Sequence, residues 1–291
     1  MGHPVLIDLE HLGRPRSLAV YLVPGPEPTL IDCGPSSCLD VLERTLAGHG
    51  LRFGDLRHLL LTHIHLDHAG AAGSLVATNP DLLVHVSGAG ADHLADPSRL
   101  ERSARRLFGA EFDRLWGPLA PIPAANLRVL GEHAAGLECF ATPGHAIHHT
   151  SFLDEDGNCY SGDVTGVRIP PSTYVAPGTP PPDIDLDAYR RSLDDILSRR
   201  PERLCLSHFG IAEDVPGHIA RMREGLALWS GWVRDGATED EFIEAARAQL
   251  ADRPEVLEAI ETAAPFPPSY AGLKRYWETR RRPARAVAAT R

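Results

Sequence analysis

The sequence predicts an α/β layered domain, and three observations predict it. Short apolar runs of four to six residues recur through the first two-thirds of the chain. Helical stretches separate several of them, and 291 residues at 43% hydrophobic can bury a large core. In order, the runs read as strands are VLIDL (5–9), LAVYLV (18–23), TLID (29–32), HLLLT (58–62), LLVHV (82–86), LRVL (127–130), LECFAT (137–142), TSFLD (150–154), NCYSG (158–162) and RLCLS (203–207). CLDVLERTLAGHG reads as a helix ended by Gly50. LDAYRRSLDDILSRR puts Leu186, Tyr189, Leu193, Ile196 and Leu197 on one helical stripe.

Two stretches break the rhythm. Residues 97–118 are helical and Arg-rich, with Phe108, Phe112 and Trp116 spaced either to pack a core or to wall a pocket. Residues 166–183 form a Pro-rich loop, long enough to act as a cover. After His208 the strands are expected to stop. Helices follow over 215–234, 238–250, 254–263 and 268–282, then a tail. This divides the chain into a domain over 1–210 and a C-terminal helical extension over 211–291.

Composition narrows the function. A net charge of −10 argues against nucleic acid as a partner, because a phosphate grip needs a basic surface. Five cysteines, Cys33, Cys38, Cys139, Cys159 and Cys205, form no CxxC pair and read as free thiols of a reducing compartment. The N-terminal stretch has no basic segment leading into an apolar one, and no apolar run approaches the ~20 residues that span a bilayer. The expectation is a cytoplasmic protein with a small-molecule substrate and no membrane partner; oligomeric state is left open. The basic run KRYWETRRRPAR near the C-terminus reads as a solvated tail.

The chemistry concentrates in LLLTHIHLDHAG (59–70), which sets three histidines and an aspartate at the end of an apolar run. Alternation along an extended chain would project His63, His65 and Asp67 together, with the bend falling at His68. Imidazole nitrogens with carboxylate oxygens suit zinc, and also iron or manganese. The pattern recurs: LECFAT runs into TPGH and His145, NCYSG into Asp163, and RLCLS into His208. Four strands that each end in a metal-competent side chain can build one site at a sheet edge.

THIHLDHAG, TPGH, SGD and SHFG, in that order over residues 5–210, resemble the metallo-β-lactamase-fold hydrolase superfamily. The resemblance implies a four-layer αββα sandwich and two divalent metal ions, zinc foremost. His63, His65 and His145 would hold one metal. Asp67, His68 and His208 would hold the other, and Asp163 would bridge them. Asp32, in TLIDCG, would brace the metal loop, and His149 would buttress the His145 turn. A metal-bridging hydroxide would then attack an ester, thioester or lactone carbonyl, with Asp67 able to pass a proton. The spacing is similar to the glyoxalase II-like group, but SGDVTGVRIPPS lacks that group's Gly-Cys-Gly-Arg stretch. Lactonases of the fold place a Tyr where Gly166 stands here, and Tyr174 could substitute. Trp116, Tyr174 and Phe209 are candidate pocket walls. The alternatives are a mononuclear iron persulfide dioxygenase and a phosphodiesterase of the same fold. A non-enzymatic role is disfavoured by retention of His65. His58 and His85 read as structural; His3, His11, His49, His93, His133 and His218 read as surface or turn positions.

Overall fold

The computed structural model describes residues 4–281 and contains two six-stranded sheets. The first is built in chain order from β1 (Val5–Asp8), β2 (Ala19–Val23), β3 (Thr29–Ile31), β4 (His58–Leu60), β5 (Leu83–Val86) and β6 (Leu127–Val129). The second runs from β7 (His133–Ala134) through β8 (Leu137–Ala141), β9 (Thr150–Leu153), β10 (Asn158–Gly162) and β11 (Arg203–Leu206) to β12 (Gly210–Ala212). Two strands depart from expectation. β12 continues the sheet past His208, its three residues pairing antiparallel with Leu204–Leu206. His133 lies on β7, at the other edge, rather than in a turn.

Side-chain alternation builds the layers. In β2, Val20 and Leu22 join a core with Leu42, Leu46 and Leu75 of the flanking helices, while Tyr21 and Val23 point the other way. There they meet Phe152, Tyr160 and Cys205 of the second sheet. The outer face of that sheet, with Leu204 and Leu206, packs against Tyr189, Leu193 and Ile196 of helix Leu186–Ser198. The C-terminal helices Val215–Arg234, Glu239–Ala248, Pro254–Ala263 and Phe266–Arg281 contribute to the same core. The result is helix, sheet, sheet, helix: a four-layer αββα sandwich. All five cysteines are buried and unpaired, and burial pushes the Cys205 thiol well up, as suits a packing residue. No described helix is long and apolar enough to cross a membrane.

Trp229 anchors the helical layer. It is fully buried, and Phe242 and Phe266 stand edge-on to it at 5.2 and 5.6 Å. Trp229→Ala should therefore lower unfolding stability by about 3–5 kcal/mol. Chemical denaturation checks this; a loss below about 1 kcal/mol would mean that the layer contributes little to the cooperative unit.

Topology positions the site. β3 and β4 are parallel neighbours in the first sheet, and β10 and β11 are parallel neighbours in the second. Their C-terminal ends lead directly into Asp32, the 63–68 segment, Asp163 and His208.

Candidate metal centre

The segment after β4 does not stay extended as far as alternation suggests. His65 is still extended, but Leu66–Ala69 form a helical turn, with the His68 and Ala69 amides donating to the His65 carbonyl at 3.0 and 2.9 Å. The bend thus falls at Leu66 and not at His68. A carbonyl that would be orphaned in the loop gains two donors this way. Asp67 consequently leaves the face shared by His63 and His65 and joins His68 in a second group. Two clusters result: His63, His65 and His145; and Asp67, His68, Asp163 and His208. Within each, the ligand atoms lie within 4.8 Å of one another.

Glycines make the convergence possible at two points. Gly144 of TPGH has φ +140°, and a Cβ there would meet the Tyr189 backbone at 2.5 Å. Gly162 of SGD has φ +50°, and its Cβ would lie 2.6 Å from His149 Nε2.

The far nitrogen of nearly every imidazole is committed, which assigns the tautomers. His68 Nδ1–H donates to Asp32 Oδ2 at 2.8 Å, and Asp32 also accepts from the Thr62 amide at 2.8 Å and the Thr62 hydroxyl at 2.9 Å. His63 Nδ1–H donates to that hydroxyl at 3.0 Å. His145 Nδ1–H donates to the Gly178 carbonyl at 3.0 Å, and His208 Nδ1–H to the Ser17 carbonyl at 2.7 Å. His149 Nε2 accepts from the Asp163 amide at 3.1 Å while its Nδ1–H faces Thr142 Oγ1 at 2.8 Å. Asp32 and His149 thus sit behind the cluster and hold its members in place.

The inward atoms are left without matching partners. His63 Nε2 and His145 Nε2, both bearing lone pairs, stand 3.0 and 2.9 Å from His65 Nδ1. One N–H on His65 cannot serve both, so lone pairs face each other. His68 Nε2 and Asp163 Oδ1 are buried and face each other at 3.2 Å without a well-directed hydrogen bond, and neither has another partner among the described residues. A cation resolves both conflicts, and the donor set of imidazoles and carboxylates fits a divalent metal.

Asp163 links the clusters. Its Oδ2 lies 3.4 Å from His145 Nε2 and 4.0 Å from His63 Nε2. Its Oδ1 lies 3.2 Å from His68 Nε2 and 3.6 Å from His208 Nε2. Asp67 Oδ2 reaches the same two imidazoles at 3.5 and 3.4 Å.

Electrostatics separate the two groups. Burial, then the neighbouring imidazoles, holds His63 and His65 well below the usual histidine range; His145 is also lowered, chiefly by burial. Burial opposes charge on His68 and His208 too, but Asp163 and then Asp67 outweigh it and raise both. Asp67 and Asp163 are held low despite burial, with His68 the largest opposing influence.

Several other residues land differently from expectation. Of the three pocket candidates, Trp116 packs with Leu66, Phe108 and Phe112 beside the metal loop. Tyr174 packs instead with Trp229 and the helical core. Phe209 joins that core as well. His11 is no surface residue: it is 8% exposed, its ring meets Trp116 at 5.6 Å, and Asp67 and His208 act on its charge. His218 is fully buried and contacts the Thr165 carbonyl at 2.8 Å. His58 and His85 pair with each other at 3.0 Å. His148, for which the sequence offers no role, is buried with its ring parallel to His63 at 6.1 Å, and burial brings its pKa down to about 4. The Pro-rich loop is anchored along its length: Val167 pairs with Ala176, Gly178 backs His145, and Thr179 Oγ1–H donates to the Ser269 carbonyl. His3 and residues 282–291 lie outside the described residues; the first eight residues of the basic run, 274–281, form the end of helix Phe266–Arg281 rather than a solvated tail, with Tyr276 buried in the helical core.

A sequence model of the metallo-beta-lactamase superfamily matches residues 13–208, and the chain belongs to that superfamily. Its members are mostly metal-dependent hydrolases that typically bind two metal ions. Among similar proteins, the thioesterase pkgB of Emericella nidulans is 30% identical over 148 residues, 49% of this chain and 34% of pkgB. The match therefore takes in about a third of that relative's length. The metallo-beta-lactamase fold-containing protein ST1585 of Sulfurisphaera tokodaii is 27% identical over 207 residues, 68% of this chain and 74% of ST1585. Its crystal structure superposes with a TM-score of 0.62, covering 76% of this chain and 85% of ST1585. TTHA1623, solved in a di-iron-bound form, is 30% identical with a TM-score of 0.53, covering 70% of this chain and 93% of TTHA1623.

Proposed function

We propose that this protein is a dinuclear metal-dependent hydrolase of ester, thioester or lactone bonds. The observation that carries the reading is the division of Asp163, one carboxylate oxygen toward His63 and His145 and the other toward His68 and His208. Each cluster has the donors for one ion: His63, His65 and His145 for the first, Asp67, His68 and His208 for the second, and Asp163 for both. Bound there, a metal pair supplies Lewis-acid polarisation of a carbonyl and acidification of water. The chain's own residues do the rest. Asp32, Ser17, Gly178 and Thr62 fix the imidazoles from behind, so the reacting geometry needs little rearrangement. The Asp67 side chain is 23% exposed and reaches His68 and His208 through Oδ2, which leaves Oδ1 to take a proton from attacking water and pass it on. The likeness to the thioesterase pkgB makes thioesters the first substrates to assay, and the di-iron form of TTHA1623 makes iron a metal to measure beside zinc and manganese.

The test combines metal content with a substrate panel. Protein purified without added metal should carry about two ions per chain and hydrolyse at least one thioester, lactone or aryl ester. One iron per chain with persulfide-dependent oxygen uptake would replace this reading with the dioxygenase. Turnover of phosphodiesters alone would replace it with the phosphodiesterase.

A further inference from the structure

His148 lies beside the first histidine cluster, and nothing described above uses it. Its ring is parallel to His63, with an interplanar angle of 11°, and edge-on to His65 at 5.6 Å. The Ile64 amide donates to its Nδ1 at 3.4 Å. A nitrogen that accepts carries no proton, so the ring proton sits on Nε2 as a neutral donor. That Nε2 has no acceptor among the described residues, and it is not one of the side-chain atoms sealed in without a partner. Solvent reaches the neighbourhood: His65 is partly exposed, and Ile147, next to His148 in the chain, shows 68% of its surface despite being apolar. A backbone amide thus fixes a neutral N–H beside the cluster, next in sequence to an exposed aliphatic side chain.

We infer that His148 is a substrate-binding residue. Its Nε2–H donates to an oxygen of the substrate's acyl group, while Ile147 contacts the apolar chain next to that oxygen. The substrate class is an ester or thioester of a short apolar acyl group. This rests on the hydrolase reading of the same site. His148 is in neither cluster, and its one hydrogen bond to the 63–68 segment is the long 3.4 Å contact with the Ile64 amide, so its removal should alter substrate affinity and leave the metals in place.

The experiment uses the full metal-loaded chain with His148→Ala and His148→Gln. Butyrate serves as a product-like probe by calorimetry, and a butyryl thioester as substrate. Metal content is measured throughout. His148→Ala should weaken butyrate binding and raise KM by about tenfold, with kcat changed far less and metal content unchanged. His148→Gln places an amide N–H near the lost donor and should recover most of the affinity. Unaltered affinity in His148→Ala, no butyrate binding by the unsubstituted protein, or metal loss that His148→Gln fails to reverse each overturns the inference; the last would make His148 a prop for His63. The two readings fail separately. His148-dependent butyrate binding without hydrolysis of any ester defeats the hydrolase assignment alone. Normal hydrolysis indifferent to position 148 defeats this one alone.

Discussion

Asp163→Ala is expected to lower metal content from about two ions per chain to at most one, and turnover by at least about a thousandfold. Among the described residues, Asp163 is the one carboxylate within contact distance of imidazoles from both clusters, and its removal takes an anion from among four of them. The fold should survive, because the bond from the Asp163 amide to His149 uses the main chain at position 163 and is unaffected by truncation. Elemental analysis with circular dichroism checks both statements. A folded variant that keeps two ions and near-native turnover would show that the clusters work independently and that Asp163 is no bridge.

The second large effect is a difference in how protons compete for the two clusters. His68 and His208 are raised by Asp163 and Asp67 against the pull of burial, so in metal-free protein they hold protons at a pH where His63, His65 and His145 are neutral. A metal entering the second cluster must expel those protons; one entering the first finds bare lone pairs. Affinity at the second cluster should therefore rise with pH, by up to about two log units per pH unit below the raised values, and that at the first should be nearly flat. The carboxylates do not blur the contrast, since Asp67 and Asp163 are held anionic well below this range. On acidification from about pH 8 to pH 5, one ion should leave ahead of the other, and hydrolysis should fall with the first departure. Equilibrium dialysis at graded pH measures this. Loss of both ions in one step with a common slope would contradict it.

The α/β class and the polar residues at the strand ends are legible in local patterns, whereas the four-layer sandwich and the grouping of seven residues around two metals follow from the resemblance to the superfamily. Short apolar runs report strands, and a polar residue placed just past each run reports what stands at the sheet edge. His145, Asp163 and His208 were found in that way, each from its own strand end. What escaped depended on partners distant along the chain. His11 and His218 gave no periodic signal, yet one is buried against Trp116 and the other against Thr165. β12 is three residues long and is defined by pairing with Leu204–Leu206, which no window of sequence displays. Alternation puts the bend at His68 because it describes a strand only while the chain remains one, and two amides reaching back to the His65 carbonyl end the strand early, at Leu66. Tyr174 was proposed for the site from its nearness in sequence, whereas Trp229 draws it into the helical layer.

The carbonyls of Ser17 and Gly178, the hydroxyl of Thr62 and the carboxylate of Asp32 grip four imidazoles from behind. These contacts come from the chain itself, so an ion entering the centre is expected to have little chain to organise. Small zinc-dependent domains assemble around their ion and collapse when it is withdrawn. On the dinuclear reading the chain, and not the ion, shapes the socket, so selection among ions is expected to fall to donor chemistry and supply, and the stripped protein to stay folded.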